Sequence, residues 1–339
     1  MVKIIVDAMG GDNAPEAPVL GAVEALSRDP ELSVLFTGDR ETVEKLLAGT
    51  SYPADRVEIR HTTEVIENEE HDPATAVRDK RDSSMVVGCA LVKAKEADGM
   101  VSAGNTGALL SAATLFTGRI PGVQRPVLSV ALPSGEIPTL LLDVGANMDA
   151  KSVWLVQFAK MSTIYMRKRY GLESPTVGLL NVGTEPGKGN AQAKEAYEAL
   201  SAEPGVHFVG NVEAREALSG RVNVIVTDAF AGNVLLKTVE GTASYIVDLL
   251  KGGIYGSLRG KLGGLLLKPV MKTLKSKLDP SAVGGTPLLG VNGAVLKAHG
   301  NSKAPAFANA ILQAKTFAES GINAEIEQSI KAKAPEATA

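Results

Sequence analysis

The residues best placed to do chemistry in this sequence form short turns of glycine, asparagine and aspartate, each of which follows an apolar, strand-like segment. The clearest example is Gly104-Asn-Thr-Gly107, where the apolar segment 100–103 ends and a helical pattern begins. Glycine lets a backbone approach a ligand closely, and Asn105 or Thr106 can cap the helix that follows. Because the first N–H groups of a helix are unpaired and lie at the positive end of its dipole, this turn predicts an anion site, typically for phosphate.

Four further turns of this kind follow apolar segments, at 7–13, 143–147, 181–189 and 228–233. In an open α/β sheet, ligands bind outside the carboxyl ends of the strands, so we expect all five turns to line one crevice. The crevice is predicted to bind phosphate and substrate. The residues predicted to do so are Gly104, Thr106, Gly107, Asn181, Gly183, Thr184, Gly187, Asp228, Gly232 and, on a basic helical segment, Lys80.

The segment Gly183-Thr-Glu-Pro-Gly187-Lys188-Gly189 partly matches the phosphate-binding loop of nucleoside triphosphatases. It is one residue short of that motif, and it has glycine where serine or threonine would hold magnesium. We therefore interpret it as a phosphate cradle without a nucleotide. The sequence also lacks a Gly-x-Ser-x-Gly motif, a metal-spaced pair of histidines, and a Gly-x-Gly-x-x-Gly motif after the first strand.

The composition favours a globular protein that does not bind nucleic acid. The chain has 339 residues, is 45% hydrophobic and has a net charge of −3, so it can bury a large core but has no basic surplus. No apolar run approaches the roughly 20 residues of a membrane span, and no signal-peptide pattern precedes the first strand. We therefore expect a cytoplasmic protein. The single cysteine, Cys89, excludes a disulfide framework and is predicted to be a core thiol.

Strand-like segments alternate with helical patterns along the whole chain, which predicts an α/β fold. A helical pattern at 74–96 is interrupted near its middle, and strands at 127–132 and 139–143 are predicted to form a hairpin. No linker or low-complexity segment divides the chain. We therefore expect one catalytic domain over residues 1–339, containing a helical hairpin at about 234–279.

The predicted helical hairpin is basic although the protein as a whole is acidic. Between Asp248 and Asp279 the sequence has seven lysines and arginines and no acidic residue, and leucines recur there at four-residue spacing. This basic amphipathic pattern is typical of a segment that lies on an anionic membrane surface. The residues predicted to contact the membrane are Ile254, Tyr255, Leu265, Leu266 and Leu267. The alternative is that the apolar stripe packs against the other hairpin helix or against a second copy of the chain.

Five longer segments carry a resemblance to a known family. They are Asp-Ala-Met-Gly-Gly-Asp at 7–12, Ser-Ala-Gly-Asn-Thr-Gly-Ala-Leu at 102–109, Leu-Leu-Asp-Val-Gly-Ala-Asn at 141–147, Leu-Leu-Asn-Val-Gly-Thr-Glu at 179–185 and Pro-Leu-Leu-Gly-Val-Asn-Gly at 287–293. In this order they resemble the bacterial phosphate acyltransferases of phospholipid synthesis, nearly from end to end. The sequence departs from the family pattern at Ala229, where glycine is expected, and at 283–286.

The resemblance implies a Rossmann-like three-layer α/β/α sandwich with a mostly parallel sheet, akin to phosphotransacetylase, and a homodimer that uses no cofactor. It also implies that fatty acyl-acyl-carrier protein reacts with inorganic phosphate to give acyl phosphate and free carrier protein. Release of this product at the membrane would supply a membrane-bound glycerol-phosphate acyltransferase.

Such a reaction needs positioning more than acid–base chemistry. Inorganic phosphate is largely dianionic near neutral pH, and a thiol with an unperturbed pKa of about 8.5 departs readily. The enzyme must hold two negative groups together, with N–H donors, lysine and amide side chains directed at the oxyanion of the thioester adduct. The residues predicted to be catalytic are Lys188, Asn105, His299 and Asn233, with no metal site.

Two other classes of function fit parts of the sequence. A magnesium-dependent enzyme acting on a phosphorylated metabolite would use Asp7, Asp143 and Asp228 as ligands, because carboxylates at strand ends suit that ion. A non-catalytic lipid-binding scaffold would use the hairpin alone, and it would leave the five polar turns without a role.

Overall fold

The computed structural model describes residues 1–255, 263–264, 267–270 and 284–331. In these ranges the strands are β1 Val2–Asp7, β2 Leu32–Gly38, β3 Val57–His61, β4 Gly99–Ser102, β5 Val127–Leu132, β6 Thr139–Leu142, β7 Thr176–Asn181, β8 His207–Glu213, β9 Val224–Val226, β10 Thr286–Leu289 and β11 Ala294–Lys297. The α-helices are α1 Glu16–Arg28, α2 Arg40–Ala48, α3 Pro73–Asp79, α4 Ser84–Lys93, α5 Thr106–Ala112, α6 Ser152–Tyr170, α7 Ala191–Ser201, α8 Ala229–Tyr255, α9 Ala304–Glu319 and α10 Ile322–Lys331. The predicted α/β alternation is confirmed.

All of these strands lie in one sheet, in the order β3-β2-β1-β4-β11-β10-β5-β6-β9-β7-β8. Strands β3, β2, β1, β4 and β11 are parallel, and β6, β9, β7 and β8 form a second parallel block. Strand β10 is antiparallel to both β11 and β5, and β5 forms the predicted antiparallel hairpin with β6. The sheet is therefore mostly parallel, as predicted, but its two parallel blocks run in opposite directions.

This reversal bears on the expectation that all five polar turns line one crevice, because that expectation takes the strands before them to end at the same edge of the sheet. The turns 7–13 and 102–107 follow strands of the first block, whereas 143–147, 181–189 and 228–233 follow strands of the second. Neighbouring strands rotate by roughly 20–25° relative to each other, and four such steps separate β4 from β6. Strand direction alone therefore does not determine which turns lie close together. The residues that line each cavity determine it.

Helices cover both faces of the sheet. Along β1, Ile4 and Val6 belong to a hydrophobic cluster with residues of α1, α6 and α9, whereas Ile5 belongs to a second cluster with residues of α4 and α5. Since successive residues of a strand point to opposite faces, the two clusters lie on opposite sides of the sheet. This arrangement confirms the predicted three-layer α/β/α sandwich.

Local sequence explains where the helices beside the site begin and end. Asp72 caps α3, because its carboxylate accepts the backbone N–H of Thr75 and the first helical residue is proline. The predicted interruption within 74–96 is also confirmed, since α3 ends at Asp79 and α4 begins at Ser84.

The helix at the start of the predicted hairpin is α8, and it begins at Ala229 rather than near 234. Its first turns pack against the rest of the protein, since Ala229 and Leu235 are buried. Large apolar side chains near its other end are exposed, namely Tyr245, Ile246, Leu249 and Leu250.

Most of the remaining predicted hairpin lies outside the described residues, including Leu265, Leu266 and the side chain of Tyr255. Ile254 lies against Gly264, and Leu267 is 47% exposed. None of the described helices is long and apolar enough to cross a membrane.

Candidate functional site

A buried carboxylate joins the turns that follow β1 and β4. Asp7 accepts hydrogen bonds from the hydroxyl groups of Ser84 and Ser102, each at 2.6 Å. Burial raises the pKa of the Asp7 carboxyl, and the two serine hydrogen bonds oppose that shift. The main chains of the two turns are in close contact, since a Cβ built at Gly10 would lie 2.8 Å from the nitrogen of Gly104. The position of the second turn is therefore fixed by the first.

Asn105 caps α5, as the sequence predicts. Its Oδ1 accepts the backbone N–H of Ala108 at 3.0 Å, and its Nδ2 donates to the carbonyl oxygens of Asn68 at 2.8 Å and Glu70 at 3.4 Å. Both ends of the amide are thus bound by the chain. The catalytic role of Asn105 stays a prediction, and it would require Nδ2 to exchange a carbonyl oxygen for the ligand. Gly107, in the same turn, packs against the first residue of α3.

A narrow cavity beside this turn joins the two blocks of the sheet. Its walls are Thr106, Leu109 and Leu110 of α5, Leu128 of β5, Gly145 and Ala146 of the turn after β6, Leu288 of β10 and Lys297 of β11. The turns after β4 and β6 therefore meet here, although their strands run in opposite directions. Of the residues predicted to bind substrate, Thr106 is exposed and lies at this cavity.

Lys297, at the end of β11, is a candidate that the sequence motifs do not single out. Its Nζ donates to the carbonyl oxygens of Ala103 at 3.1 Å and Ala298 at 2.6 Å. Burial lowers the pKa of Lys297 to about 8, and the negative charges of Asp12 and Asp7 oppose that shift. The available signal is a lysine at the carboxyl end of an otherwise apolar strand, directly before the histidine-containing turn.

The turn 143–147 is shaped by its first residue. Asp143 accepts hydrogen bonds from the backbone N–H groups of Gly145, Ala146 and Asn147 and from the side-chain amide of Asn147. Burial raises the pKa of Asp143, and these donors oppose that shift. The carbonyl oxygen of Asn147 accepts the N–H of Ala229 at the start of α8. The turn therefore links the narrow cavity to the first residues of α8.

A second and wider cleft, of about 520 Å³, lies along the first turns of α8. Asn181, Gly189 and Asp228 line it, and so do the apolar side chains of Phe230 and Val234. Two of the predicted binding turns, 181–189 and 228–233, thus contribute to one cleft. Phe230 is 69% exposed, so the cleft has an apolar wall open to solvent.

Hydrogen bonds within the two turns hold this cleft in shape. Asp228 caps α8 by accepting the N–H of Ala231 at 2.8 Å, and Nδ2 of Asn181 donates to the carbonyl oxygen of Lys188 at 3.1 Å. The side chain of Lys188 is exposed, and Asn233 is half-buried on α8. Other residues predicted to bind phosphate lie in the same turn as Lys188 and are partly or fully exposed: Gly183, Thr184 and Gly187.

Several residues predicted to be functional line neither cavity, among them Lys188, Asn233, Lys80 and His299. Nζ of Lys80 donates to the carbonyl oxygen of Val65 at 2.8 Å. His299 is exposed, and its Nδ1 accepts the backbone N–H of Asn301 at 3.2 Å. The roles of Lys80 and His299 in the site stay predictions.

The three carboxylates that the magnesium alternative requires each accept hydrogen bonds from groups close to them in the fold. Asp7 is bound by serine hydroxyls, Asp143 by the N–H groups of its turn, and Asp228 by the start of α8. In the part of the chain that the structure describes, no group of three or more histidine, cysteine, aspartate or glutamate residues is placed to hold a metal ion. The geometry therefore does not assemble the ligand set of that alternative.

Relatives of the chain match almost its whole length. Residues 2–325 match the family model described as fatty acid synthesis protein. The chain is 47% identical over 326 residues to a phosphate acyltransferase of Dictyoglomus turgidum, with 96% of each chain covered. It is 47% identical over 330 residues to a phosphate acyltransferase of Clostridioides difficile, with 97% of this chain and 96% of the other covered.

Solved structures share the fold at low sequence identity. A phosphotransacetylase from Streptococcus pyogenes superposes with a TM-score of 0.61 at 20% identity, covering 93% of this chain and 94% of the other. The EutD phosphotransacetylase from Staphylococcus aureus superposes with a TM-score of 0.60 at 18% identity, covering 94% of each chain. At these identities the likeness concerns the fold alone.

Proposed function

The chain belongs to the fatty acid synthesis protein family and is related over its length to phosphate acyltransferases, and we propose that it transfers a fatty acyl group from acyl-carrier protein to inorganic phosphate. The products are acyl phosphate, for phospholipid synthesis, and the free thiol of the carrier. The near full-length similarity carries this proposal, and the cleft along α8 fits it. Acyl transfer to phosphate is the family's chemistry, and the carrier-protein donor is our inference.

The state of the single cysteine supports direct attack of phosphate on the thioester. Cys89 is buried in α4, and burial raises the pKa of its thiol to about 12. A cysteine is nucleophilic only as the thiolate, so a buried thiol with a raised pKa is poorly suited to form an acyl-enzyme. Phosphate, which is already largely dianionic there, needs only to be held in line with the carbonyl carbon.

The wider cleft and the elements that border it carry groups suited to this reaction: Asn181 lines the cleft, whereas Lys188 lies in the bordering turn and Asn233 on α8. The ammonium of Lys188 is proposed to hold phosphate, because a compact cation beside two glycines lets a dianion approach closely. The amide groups of Asn181 and Asn233 are proposed to donate to the oxyanion of the adduct. Phe230 and Val234 provide apolar surface beside these groups, where the first carbons of an acyl chain would be desolvated.

We extend the proposal to the membrane surface, where an acyl phosphate would be passed to a membrane-bound glycerol-phosphate acyltransferase. The exposed apolar residues of α8, together with Leu267 and Val270, support a peripheral contact with anionic lipid. Lysines and arginines of this part of the sequence add attraction of about 1 kcal/mol each near such a surface. The competing arrangement is that a second copy of the chain, in a homodimer, covers this apolar surface. The same alternative applies to the apolar stripe in the sequence.

The decisive experiment mixes the protein with palmitoyl-carrier protein, with and without phosphate, and measures free thiol together with acyl phosphate trapped as hydroxamate. We expect thiol release only in the presence of phosphate, unchanged by excess chelator. Release without phosphate would identify a thioesterase, and loss of activity in chelator would favour the magnesium alternative. A Cys89→Ala variant should keep its turnover, since no covalent intermediate forms on that residue.

A further inference from the structure

We propose that an exposed basic surface at the start of α6 docks the carrier protein, by contact with an acidic face of that carrier. The surface, termed the Trp154 surface, consists of Arg119, Arg125, Lys151 and Trp154. This inference rests on the proposed function and extends it, since it assigns the place where the acyl donor binds before its thioester enters the wider cleft.

The Trp154 surface gathers positive charge around one aromatic ring. The guanidinium carbon of Arg125 lies 4.9 Å from the centre of the Trp154 ring, and Nζ of Lys151 lies 5.8 Å from it. Arg119 and Arg125 also line an open groove of about 490 Å³ beside the same ring. The three cations are exposed and the indole is half-buried. Attraction to the ring holds the two stacked cations in place while their charge stays accessible.

The protein's own carboxylates do not neutralise these cations. Among the described residues none of the three forms an ion pair, whereas an exposed arginine such as Arg60 pairs with Glu96. The sequence has no acidic residue at 99–135 and none at 150–172. Asp149, which precedes the second of these ranges, is exposed, and three cations against this carboxylate leave the surface positive. An anionic partner would therefore meet complementary charge here.

Hydrogen bonds hold the loop of this surface in one shape. Nε1 of Trp154 donates to Oε1 of Gln124 at 2.9 Å, and the backbone N–H of Gln124 donates to Oε1 of Gln157 at 2.9 Å. The side chain of Gln157 donates in turn to the carbonyl oxygen of Gly122 at 3.0 Å. A guanidinium nitrogen of Arg119 donates to the carbonyl oxygen of Gln124. A surface that is already ordered loses little conformational freedom on binding, which favours docking.

The position of the Trp154 surface suits delivery of a substrate to the wider cleft. Trp154 lies at the start of α6, and the next residue, Leu155, lines that cleft. Asn147 provides a second connection, since its Nδ2 donates to the carbonyl oxygen of Pro126 at 3.0 Å and its own carbonyl oxygen accepts the N–H of Ala229. The loop of the surface is thereby joined, through one residue, to the helix that borders the cleft.

The chemistry of the surface favours a protein over other anionic partners. Tryptophan and arginine contribute most at the centre of protein interfaces, and here they lie side by side. A bilayer contact is supported instead by the apolar end of α8, and Leu235 of that helix belongs to the cluster on the opposite face of the sheet from Leu155. A two-fold dimer centred on the Trp154 surface would place its cations against the same cations of the second copy. A carrier with an acidic face fits both the charge and the aromatic area.

Trp154 is the single tryptophan of the chain, so its fluorescence reports on this surface. The wild-type protein is titrated with palmitoyl-carrier protein in the absence of phosphate, using a carrier without tryptophan. We expect the emission of Trp154 to change in wavelength or intensity, and added salt to reverse the change because exposed charges are screened. Inorganic phosphate alone should leave the emission unchanged. A response to phosphate would identify an ion site instead and would overturn the proposal.

A charge-reversal variant tests whether docking serves catalysis. Arg125→Glu/Lys151→Glu is compared with the wild-type protein and with the control Lys45→Glu/Arg169→Glu, which makes the same change of charge at exposed residues. Arg169 matches Arg125 in kind, because its guanidinium lies 5.5 Å from the ring of Tyr170 at the other end of α6. We expect kcat/KM for palmitoyl-carrier protein to fall roughly 5–100-fold in the first variant, because attraction becomes repulsion, and to stay unchanged in the control. With palmitoyl-pantetheine, which has no carrier, both variants should match the wild-type protein.

An unchanged kcat/KM for palmitoyl-carrier protein in Arg125→Glu/Lys151→Glu, or a fall that the control matches, would overturn the proposal. Equal losses with both donors would do the same, since the residues would then act on the cleft and not on docking. Loss of the oligomeric state in this variant would show that a second copy, and not the carrier, covers the surface. If the variant fails to fold in a thermal unfolding assay, the wild-type titration decides, and an emission that does not respond to the carrier refutes the proposal. A wild-type protein that transfers no palmitoyl group to phosphate from either donor would instead refute the proposed function.

Discussion

Gly232 lies directly against the carbonyl oxygen of Asp143, so closely that a Cβ built at residue 232 would be 1.7 Å from that oxygen. The contact joins the first turn of α8 to the turn after β6. One of these elements carries Asn233 and borders the wider cleft, and the other lines the narrow cavity. The absence of a side chain at residue 232 is therefore a condition for α8 to approach the 143–147 turn this closely.

We expect Gly232→Ala to move α8 away from the 143–147 turn. Overlap with main-chain atoms cannot be relieved by a side-chain rotation, so the free energy of unfolding should fall by about 1–3 kcal/mol, and turnover should fall with it. Gly241→Ala is the matched control, because residue 241 lies on the same helix and a Cβ there meets nothing within 4 Å. That variant should be more stable by about 0.4–1 kcal/mol and fully active. Urea unfolding and thiol release would measure both, and equal behaviour of the two variants would contradict the contact.

Lys188→Ala should weaken the use of phosphate more than any other step. Loss of a charge-assisted hydrogen bond of about 1.5–3 kcal/mol corresponds to a KM for phosphate that is roughly 10–100-fold higher. The exposed Lys194 on α7 offers a control of the same size and charge, and Lys194→Ala should leave the constant unchanged. Steady-state kinetics with varied phosphate would measure the effect. An unchanged KM in Lys188→Ala would remove that residue from the phosphate site.

The sequence was sufficient for features that depend on neighbouring residues. The cap at Asn105 and the interruption between Asp79 and Ser84 follow from short polar residues and their preference for helix ends. Of the five turns predicted to line one crevice, 181–189 and 228–233 line the same cleft, whereas residues of the 104–107 and 143–147 turns line a separate cavity. These features need only local hydrogen bonds and the rule that polar turns follow buried strands.

The environment of Lys297 depends on contacts between distant parts of the chain. Its strand β11 pairs with β4, which lies almost two hundred residues earlier, and no local pattern encodes that pairing. The reversal of the second block results from three successive antiparallel pairings, β11 with β10, β10 with β5 and β5 with β6, of which only the second joins distant parts of the chain. At Asn105 the sequence suggests more than the structure supports. An asparagine fits catalysis by residue type, but its side-chain Nδ2 already donates to the carbonyl oxygen of Asn68.

The stability of the protein should depend on pH through Lys297. Its folded-state pKa of about 8 lies below the unfolded value of 10.5, so the unfolded chain binds more protons between these two values. The free energy of unfolding should therefore rise with pH across that window, by up to about 3 kcal/mol, and this gain should be lost again as the pH falls from 10.5 to about 8. Lys297→Met should lack this dependence, which urea unfolding at several pH values would measure. Parallel curves for the two proteins would show that the ammonium is not desolvated.

The last prediction concerns the apolar surface at the end of α8 and beyond it. Leu267 and Val270 are exposed, and they lie in a segment rich in lysine and arginine. Replacing both with glutamate places negative charge where an anionic bilayer is proposed to lie, so sedimentation with anionic vesicles should be lost. Thiol release in solution should persist, because neither residue lines the described clefts.

The control for this experiment is Leu218→Glu, which alters an exposed leucine outside this segment and should leave vesicle binding intact. Raising the salt concentration should weaken the binding of the wild-type protein, since surface attraction between exposed charges is screened. If the double variant still sediments with vesicles, the membrane contact lies elsewhere. If it loses its oligomeric state and its activity together, Leu267 and Val270 pack against a second copy of the chain, and the membrane interpretation of this surface is wrong.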